Sequence, residues 1–299
     1  MVSTRWASSA IVALLAFTLS AQTLEREVAV TFDDLPGPAS SAHLVRTIRK
    51  EKLPAIGFVN EGKLDSKEEH RWLERWLAAG FDLGNHTSGH VDLHRVDVQQ
   101  FEEDIVRGEK ETRALLSRRG RTLQWFRHPF LHTGRTLETR DRVHRFLADR
   151  GYRVAPVTLD NAEWIFAAAY RRTNDKATRR RIGVEYVAYM DRKLAYFERQ
   201  SIALFGRNIR HVLLLHANEL NADWFDELAR SMRTRGYRFI TLERALEDPA
   251  YRSDDTFTGR GGISWLHRWA ITAGRKGEFF AGEPSAAKWV LDLAGVESE

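Results

Sequence analysis

The sequence contains no cysteine among its 299 residues. A chain of this length can bury a core large enough to fold without disulfides, so the absence of cysteine is compatible with export. It also excludes thiolates as nucleophiles and as metal ligands. Histidine and carboxylate side chains are left as the candidates for metal binding.

A concentrated basic stripe is absent as well. The formal charge of +5 and the pI near 9.5 come from scattered arginines, and they do not alternate with aromatic residues as in a nucleic-acid groove. The arginine-rich run at residues 171–181 is expected to be a solvated loop or helix face. The sequence also shows no internal repeat and no low-complexity linker. We therefore expect no nucleic-acid partner.

Long hydrophobic runs are missing except near the start. Residues 11–19 form an apolar run that follows Arg5 and ends at the small residues Ser20 and Ala21. This pattern is typical of a secretory signal peptide, and the run is short for a membrane span. We expect a signal peptide at residues 1–21, export to the periplasm or beyond the cell, and no stable membrane insertion after cleavage. An uncleaved anchor is the alternative.

The remaining chain alternates apolar runs with helical patterns. Ser66 to Glu69 form a capping box that opens one of the helices. Strands are predicted at residues 28–32, 55–59, 81–84, 123–126, 152–159, 211–215 and 237–240, and helices at about 66–79, 97–115, 136–150, 184–205 and 221–232. This order predicts a mostly parallel sheet with helices outside, as a barrel or a wound sheet. We assign the domain to residues 22–248 and a C-terminal extension, packed on it, to residues 249–299.

Two adjacent carboxylates, Asp33 and Asp34, follow the first apolar run. Successive side chains of an extended segment point to opposite sides, so these neighbours can serve different partners. Alone, they could simply cap the next turn. Polar residues also follow the later strands, and α/β barrels place their active sites at such carboxyl ends.

His86 and His90 stand four residues apart just after a predicted strand. A single helical turn would bring both imidazoles to one face, which suits two ligands of one metal. Asp34, at the end of an earlier strand, supplies a third ligand. Two histidines and one carboxylate with open positions are typical of a catalytic rather than a structural metal site. His94 lies another four residues along the chain but beyond the expected turn, so we do not include it among the metal ligands.

Five short motifs together resemble the polysaccharide deacetylases of carbohydrate esterase family 4, the group with the NodB homology domain. They occur in the family's order between about residues 28 and 245. The motifs are Thr31-Phe32-Asp33-Asp34, His86-Thr87-Ser88-Gly89-His90, Arg127-His128-Pro129-Phe130, Asp160-Asn161-Ala162-Glu163-Trp164 and Leu214-Leu215-His216.

The resemblance implies a distorted (β/α) barrel and one divalent metal ion, usually zinc, with cobalt as the alternative, held by Asp34, His86 and His90. It also implies a general base, Asp33, with Arg127 as its partner. His216 would be the general acid, oriented by Asp160. The substrate-binding residues would be Phe130, Trp164 and Pro129, with the backbone N–H of Phe130 at the oxyanion. The implied substrate is an acetylated polysaccharide.

Three residues depart from the family's usual pattern. Leu35 replaces a glycine and Phe130 a tyrosine, and both are expected to alter the groove beside the metal. Glu163 replaces the second aspartate of the fourth motif. The loop histidines His128 and His132 could touch the substrate, but without a named partner they are expected to be exposed.

Three functions remain open at this stage. The leading hypothesis is a metal-dependent hydrolase that removes N- or O-acetyl groups from a polysaccharide. The others are a carbohydrate-binding protein without turnover on the same scaffold, and a hydrolase of a non-sugar amide. The sequence does not distinguish chitin, peptidoglycan, xylan and exopolysaccharide, and it does not indicate the oligomeric state.

Overall fold

The computed structural model describes residues 26–299, so the predicted signal peptide lies outside the described residues. Within this range there are seven strands: β1 (Arg26–Leu35), β2 (Ala55–Val59), β3 (Asp82–Asn85), β4 (Trp125–Phe126), β5 (Arg153–Val154), β6 (His211–His216) and β7 (Tyr237–Phe239). The same range contains eleven α-helices: α1 (Leu44–Lys50), α2 (Lys67–Ala78), α3 (Val98–Arg107), α4 (Lys110–Ser117), α5 (Leu137–Asp149), α6 (Glu163–Arg171), α7 (Lys176–Phe205), α8 (Glu219–Thr234), α9 (Leu242–Leu246), α10 (Trp265–Thr272) and α11 (Lys288–Ala294). Short 3-10 turns occur at Ala39–Ser41, Glu61–Lys63, Pro129–Leu131, Pro249–Arg252 and Gly277–Phe280.

Strand β1 lies at the centre of the sheet. It pairs in parallel with β2 on one side and with β6 on the other, so that Val30 lies between Ala55 and Leu213. Its side chains from Glu27 to Asp33 are all buried. A strand buried on both faces explains the nearly continuous β-branched and aromatic run in the sequence.

The parallel sheet curls on itself. The strand order is β5-β4-β3-β2-β1-β6, and β7 also pairs with β1. The chain that follows β5 returns to β6, where Leu159 forms a parallel bridge to Leu213. The predicted α/β fold of distorted-barrel type is confirmed.

Helix α2 shows how the outer layer is attached. Ser66 accepts a hydrogen bond from the backbone of Glu68, and Glu69 reaches back to the Ser66 backbone, as the predicted capping box requires. The buried side chains of the helix lie one turn apart and include Trp72 and Trp76. Trp76 packs edge-on against Phe32 of β1 with 5.7 Å between ring centroids, so the helix covers the central strand directly.

Several element boundaries differ from the sequence predictions. The helix expected to run on from Asp97 is interrupted at Gly108, which separates α3 from α4. Strands β4 and β5 are only two residues long. Helix α6 is not among the predicted elements, and α7 begins at Lys176 inside the arginine-rich run, which therefore includes a helix face.

Residues 249–299 pack against the barrel, with Trp265 and Trp269 of α10 buried. The Trp265 backbone N–H donates to the Val157 carbonyl at 2.7 Å, and α11 packs on α6. Whether the domain ends at residue 248 stays a prediction. Among the described residues, no helix is both long enough and apolar enough to cross a membrane.

Candidate active site

Asp33 and His216 lie near the carboxyl ends of two adjacent strands, β1 and β6. They are direct partners in the parallel register of β1 and β6, so both side chains reach the carboxyl edge of the barrel. Asp33 is buried, and one terminal nitrogen of Arg127 lies 3.2 Å from each of its carboxylate oxygens. The sheet therefore places a paired carboxylate beside a histidine.

Arg127 is fully buried behind Asp33. Its Nε donates to the Ala155 carbonyl at 2.7 Å and its second terminal nitrogen to Thr31 Oγ1 at 3.1 Å. Its guanidinium carbon also lies 4.5 Å from the centre of the Phe58 ring. Burial lowers the pKa of Arg127, and the Asp33 charge opposes this shift. The network fixes the position of both Asp33 oxygens, as expected for a buried ion pair whose donors all have partners.

Asp34 points to two histidines instead of to Arg127. Its Oδ1 lies 3.8 Å from His86 Nε2 and 3.6 Å from His90 Nε2. The backbone of Asp34 has a φ of 65°, and the β1–β2 register shifts between Phe32 and Leu35. The two carboxylates thus have different main partners, although Asp33 Oδ2 also lies 3.8 Å from His86 Nε2. A local bulge accompanies this difference, and simple strand alternation does not describe it.

The segment from His86 to His90 is a bend, so the predicted helical turn is wrong. Thr87 and His90 both have left-handed backbone conformations, with φ values of 65° and 51°. The centroids of the His86 and His90 rings nevertheless lie 4.8 Å apart. Asp34, His86 and His90 can each offer one ligand atom, and these three atoms lie close enough together to bind one ion.

The donor set fits a divalent metal. His86 Nδ1 lies 2.9 Å from the Arg127 carbonyl, so this nitrogen carries the proton and Nε2 keeps a free lone pair. Burial, with the nearby His86, lowers the pKa of His90 to about 4, which leaves its imidazole neutral at pH 7. Asp34 Oδ1 is buried and has no hydrogen-bond partner among residues 26–299. An ion coordinated by these atoms would satisfy that oxygen.

The electrostatic environment of Asp34 also suits a ligand. Burial alone would raise the pKa of Asp34, but electrostatic interactions with His86, Lys63 and other neighbours together hold it well below its usual range. Lys63 Nζ lies 3.4 Å from both Asp34 Oδ2 and the Asp34 carbonyl. The second carboxylate oxygen therefore faces a cation of the protein.

Two glycines allow the backbone around Thr87 and Ser88 to pack closely. Gly62 lies against the Ser88 carbonyl and Gly108 against the Thr87 backbone, and neither position has room for a Cβ. Asp104 of α3 then binds the Gly89 N–H with both carboxylate oxygens, at 3.0 and 2.9 Å. The loop that carries His86 and His90 is thus fixed from both sides.

Glu163, not Asp160, is hydrogen-bonded to His216. The distance from His216 Nδ1 to Glu163 Oε2 is 2.8 Å, and Glu163 also binds the side-chain amides of Asn218 and Asn221. Burial would lower the pKa of His216, but the Glu163 hydrogen bond and charge raise it to about 9. The implied pairing of His216 with Asp160 is wrong, because the side chain that reaches the imidazole comes from the first turn of α6.

Asp160 instead lies in the cavity wall. Its Oδ1 accepts a hydrogen bond from the Asn161 backbone at 2.9 Å. Burial raises the pKa of Asp160 to about 6, although the Lys193 ammonium opposes the shift. Asp160 is therefore a weak acid beside the site with no hydrogen bond to its histidine.

Aromatic side chains border the cavity above these groups. Phe130 is 52% exposed and Trp164 is 48% exposed, and both line the cavity, while their contact with a substrate stays a prediction. Pro129 is buried at the start of the 3-10 turn that also contains Phe130. Contrary to the expectation, Leu35 does not alter this groove. It is fully buried against Gly57, a position that has no room for a Cβ.

The other histidines have different environments. His128 is fully buried, contrary to the expected exposure, and neither of its ring nitrogens has a hydrogen-bond partner in the described part of the chain. His94 and His132 stack face to face at 3.8 Å with only 8° between their planes, and His132 binds Asp92 at 2.7 Å. One ion cannot lie in the planes of two parallel rings, so we assign Asp92, His94 and His132 to loop packing although they lie close enough to share an ion.

Sequence reasoning does not assign three residues of the site to the roles that they have in the structure. Glu163 was noted only as a departure from the motif. Asp104 could have been noticed as an acid on the apolar face of α3, next to Ile105. Lys63 gave no local signal, because it depends on a 3-10 turn whose backbone binds the second motif.

Comparisons with known proteins agree with the motifs. A family model described as polysaccharide deacetylase matches residues 20–155, which include the first three motifs but neither Glu163 nor His216. A chitooligosaccharide deacetylase from Bradyrhizobium sp. (strain ANU 289) is 27% identical over 89 residues, 30% of this chain and 40% of that protein. The chain thus spans less than half of this relative's length.

Longer matches have lower identity. A peptidoglycan-N-acetylglucosamine deacetylase from Bacillus cereus is 21% identical over 243 residues, covering 79% of this chain and 74% of that protein. A family 4 carbohydrate esterase from Streptomyces lividans, solved in complex with acetate, has a TM-score of 0.50 at 17% identity, over 74% of this chain and 96% of the other. At this identity the structural likeness shows the fold alone. Together the comparisons confirm the resemblance to the polysaccharide deacetylases.

Proposed function

We propose that this chain, as a relative of the polysaccharide deacetylases, is a metal-dependent hydrolase that removes N- or O-acetyl groups from a sugar polymer. The observation that supports this most strongly is the convergence of three groups at one barrel edge. His86 and His90 lie beside the Asp34 oxygen that has no hydrogen-bond partner in the described part of the chain. Asp33 is paired with Arg127, and His216 is paired with Glu163.

Asp34, His86 and His90 would hold one divalent ion, and zinc or cobalt suits two imidazoles with a carboxylate. The ion would acidify a water molecule and polarise the acetyl carbonyl. Asp33 accepts the proton of the attacking water, and Arg127 keeps both of its oxygens in place. The backbone N–H of Phe130 is the proposed donor to the developing negative charge on the acetyl oxygen.

His216 completes the reaction as the acid. Because its pKa is raised to about 9, the imidazole is protonated at neutral pH, and Glu163 holds its Nδ1. It gives a proton to the leaving nitrogen or oxygen as the bond to the acetyl carbon breaks. The water oxygen remains on the acetyl carbon, and the products are acetate and a free amine or hydroxyl.

The test is a screen of acetylated polysaccharides for released acetate, with chitin, peptidoglycan, xylan and an acetylated exopolysaccharide as substrates. We expect release from at least one of them, and Asp33→Asn is the matched inactive control. Binding without release by the metal-loaded protein would favour the carbohydrate-binding alternative. Because all the motif positions that carry chemistry hold titratable or ligating side chains, we favour the hydrolase over that alternative, and a non-sugar amide is the remaining substrate class.

We also propose that the protein is exported. The basic start, the apolar run at residues 11–19 and the small residues near Ala21 support a cleaved signal peptide, and a polymeric glycan substrate would lie outside the cytoplasm. N-terminal sequencing of the exported protein should find a start near Ala21 or Gln22. Recovery of intact Met1 in membranes would instead indicate an anchor.

A further inference from the structure

The cavity over the candidate metal ligands has walls from two distant parts of the chain. Its volume is about 910 Å³, within the range of small-molecule and oligosaccharide sites. One part of its lining consists of the motif residues at the barrel edge. The other comes from beyond residue 248 and consists of Gly262, Ile263, Glu283, Pro284, Ser285 and Glu299. The resemblance to the deacetylase motifs ends before this second part.

The C-terminal part is attached to the Phe130 side of the cavity. Gly262 packs directly on the Phe130 carbonyl, and there is no room for a Cβ at this position. Nearby, the guanidinium of Arg268 is buried and binds Asp255 at 2.7 Å and Thr133 Oγ1 at 2.6 Å. Thr133 lies just after the third motif, so this edge of the wall is held against the catalytic loop itself.

On the Asp160 side, Lys193 of α7 holds the same wall. Its ammonium is almost completely buried, 2.7 Å from Glu283 Oε1 and 3.0 Å from Glu299 Oε1. Glu299 also accepts hydrogen bonds from Tyr189 at 2.8 Å and from the Ala286 backbone at 2.9 Å. A buried ammonium needs such partners, so separating the wall from α7 would leave it unpaired.

A second cavity lies beside Asp34, on the side of Lys63. This cavity is lined by Pro36, Gly37 and Lys63, among others, and Lys63 touches Asp34. Room for further sugar units therefore exists on the Lys63 side of Asp34. On the Phe130 and Asp160 sides, the cavity is bounded by the C-terminal wall.

We propose that residues 283–285, held by Lys193 and Glu299, are a specificity-determining wall that stops the glycan just past the metal. The substrate is then a chain whose acetylated sugar lies at or near one end, not in its interior. This inference rests on the proposed deacetylase function. Within this wall, Ser285 is exposed and lines the cavity, so its side chain is placed to contact the glycan.

The first test uses the zinc-loaded wild-type protein and a β-1,4-linked hexamer of N-acetylglucosamine. Mass-spectrometric sequencing of the singly deacetylated product locates the free amine. We expect it at one terminal unit or the unit next to it. An even distribution over the interior units would overturn the inference while leaving the deacetylase function intact, and no acetate from any substrate would refute the function instead.

The second test places a large side chain on the proposed wall, so that the cavity becomes narrower. Ser285→Trp should raise KM for the hexamer on the order of tenfold or more, the usual effect of lost fit in a binding site. Its effect on 4-nitrophenyl acetate should be smaller, because that ester is too short to extend from the metal ligands to the wall. Ser117→Trp, at an exposed position that does not line the cavity, is the matched control and should change neither value. An equal effect of Ser285→Trp on both substrates, or no effect on either, would contradict the wall.

Discussion

Asp33 and Asp34 are neighbours in the sequence but have different surroundings in the structure. Asp33 is buried against Arg127, whereas Asp34 has a left-handed backbone and faces two imidazoles. The sequence could predict that both carry chemistry, because they follow a buried strand. It could not predict the bulge that accompanies their different orientations, since the bulge is a feature of the pairing with β2.

This difference predicts distinct effects of two matched substitutions. Asp33→Asn should retain the metal and lose turnover by roughly 10²–10⁴-fold, the usual contribution of a positioned base. Asp34→Asn should lose metal affinity, because a neutral amide replaces the anionic ligand. Metal content of the purified variants and acetate release are the measurements. Equal metal loss in both variants would show that the roles are assigned wrongly.

The main error of the sequence prediction concerns the hydrogen-bond partner of His216. Asp160 and Glu163 belong to the same motif, and sequence spacing cannot decide which of two nearby acids reaches an imidazole. The structure decides it, because Glu163 lies in the first turn of α6 and is almost completely buried against His216. Asp160 binds the Asn161 backbone instead.

The pairing predicts a change in pH dependence. Glu163→Gln removes the anion that favours protonated His216, so the pKa of His216 should fall from about 9. The acid is active only below its pKa, and the alkaline limb of the pH–rate profile should therefore move to lower pH, by roughly 1–3 units. Asp160→Asn is the control and should move this limb less. A larger shift for Asp160→Asn than for Glu163→Gln would restore the original assignment.

Among the secondary-structure elements, the amphipathic helices and the buried apolar strands were predictable, whereas helix α6 and the lengths of β4 and β5 were not. The capping box of α2 and the Thr136 cap of α5 appear where the sequence placed them. Helix α6 was missed because it is buried on most of its circumference and has no clear polar face. Strands β4 and β5 lie within the predicted residues 123–126 and 152–159, but only two residues of each pair in the sheet.

The break between α3 and α4 predicts an effect on the metal loop. Gly108→Ala would place a Cβ against the Thr87 backbone, which lies between the two ligand histidines. We expect metal affinity to fall by roughly 10–100-fold, as for other changes to the supports of metal ligands. Thermal stability should fall as well, because the site is already fully packed.

Gly261→Ala is the matched control for this prediction. The nearest atom to its new Cβ would be Ile263 Cγ2 at 3.8 Å, an ordinary contact. Metal affinity can be measured by competition with a chelator of known strength. If both alanine variants bind metal like the wild type, the close packing of the loop does not determine ligand geometry.

For the whole molecule, the sequence left a closed barrel and an open wound sheet as alternatives. The closing contact joins Leu159 to Leu213, and such a long-range contact leaves no local pattern. The C-terminal tryptophans Trp265 and Trp269 pack on the barrel as expected. The same segment also lines the cavity through Glu283 and Ser285, which are polar residues in irregular structure with no periodic signal.

Acetate release measured together with elemental analysis tests metal-dependent hydrolysis most directly. The protein is stripped with a chelator, reloaded with zinc or cobalt, and assayed on the best substrate from the screen, with Asp34→Asn as the control. We expect one ion per chain in the active protein, no acetate release after stripping, and recovery on reloading only in the wild type. Full activity in protein that contains no stoichiometric metal would contradict the proposed function.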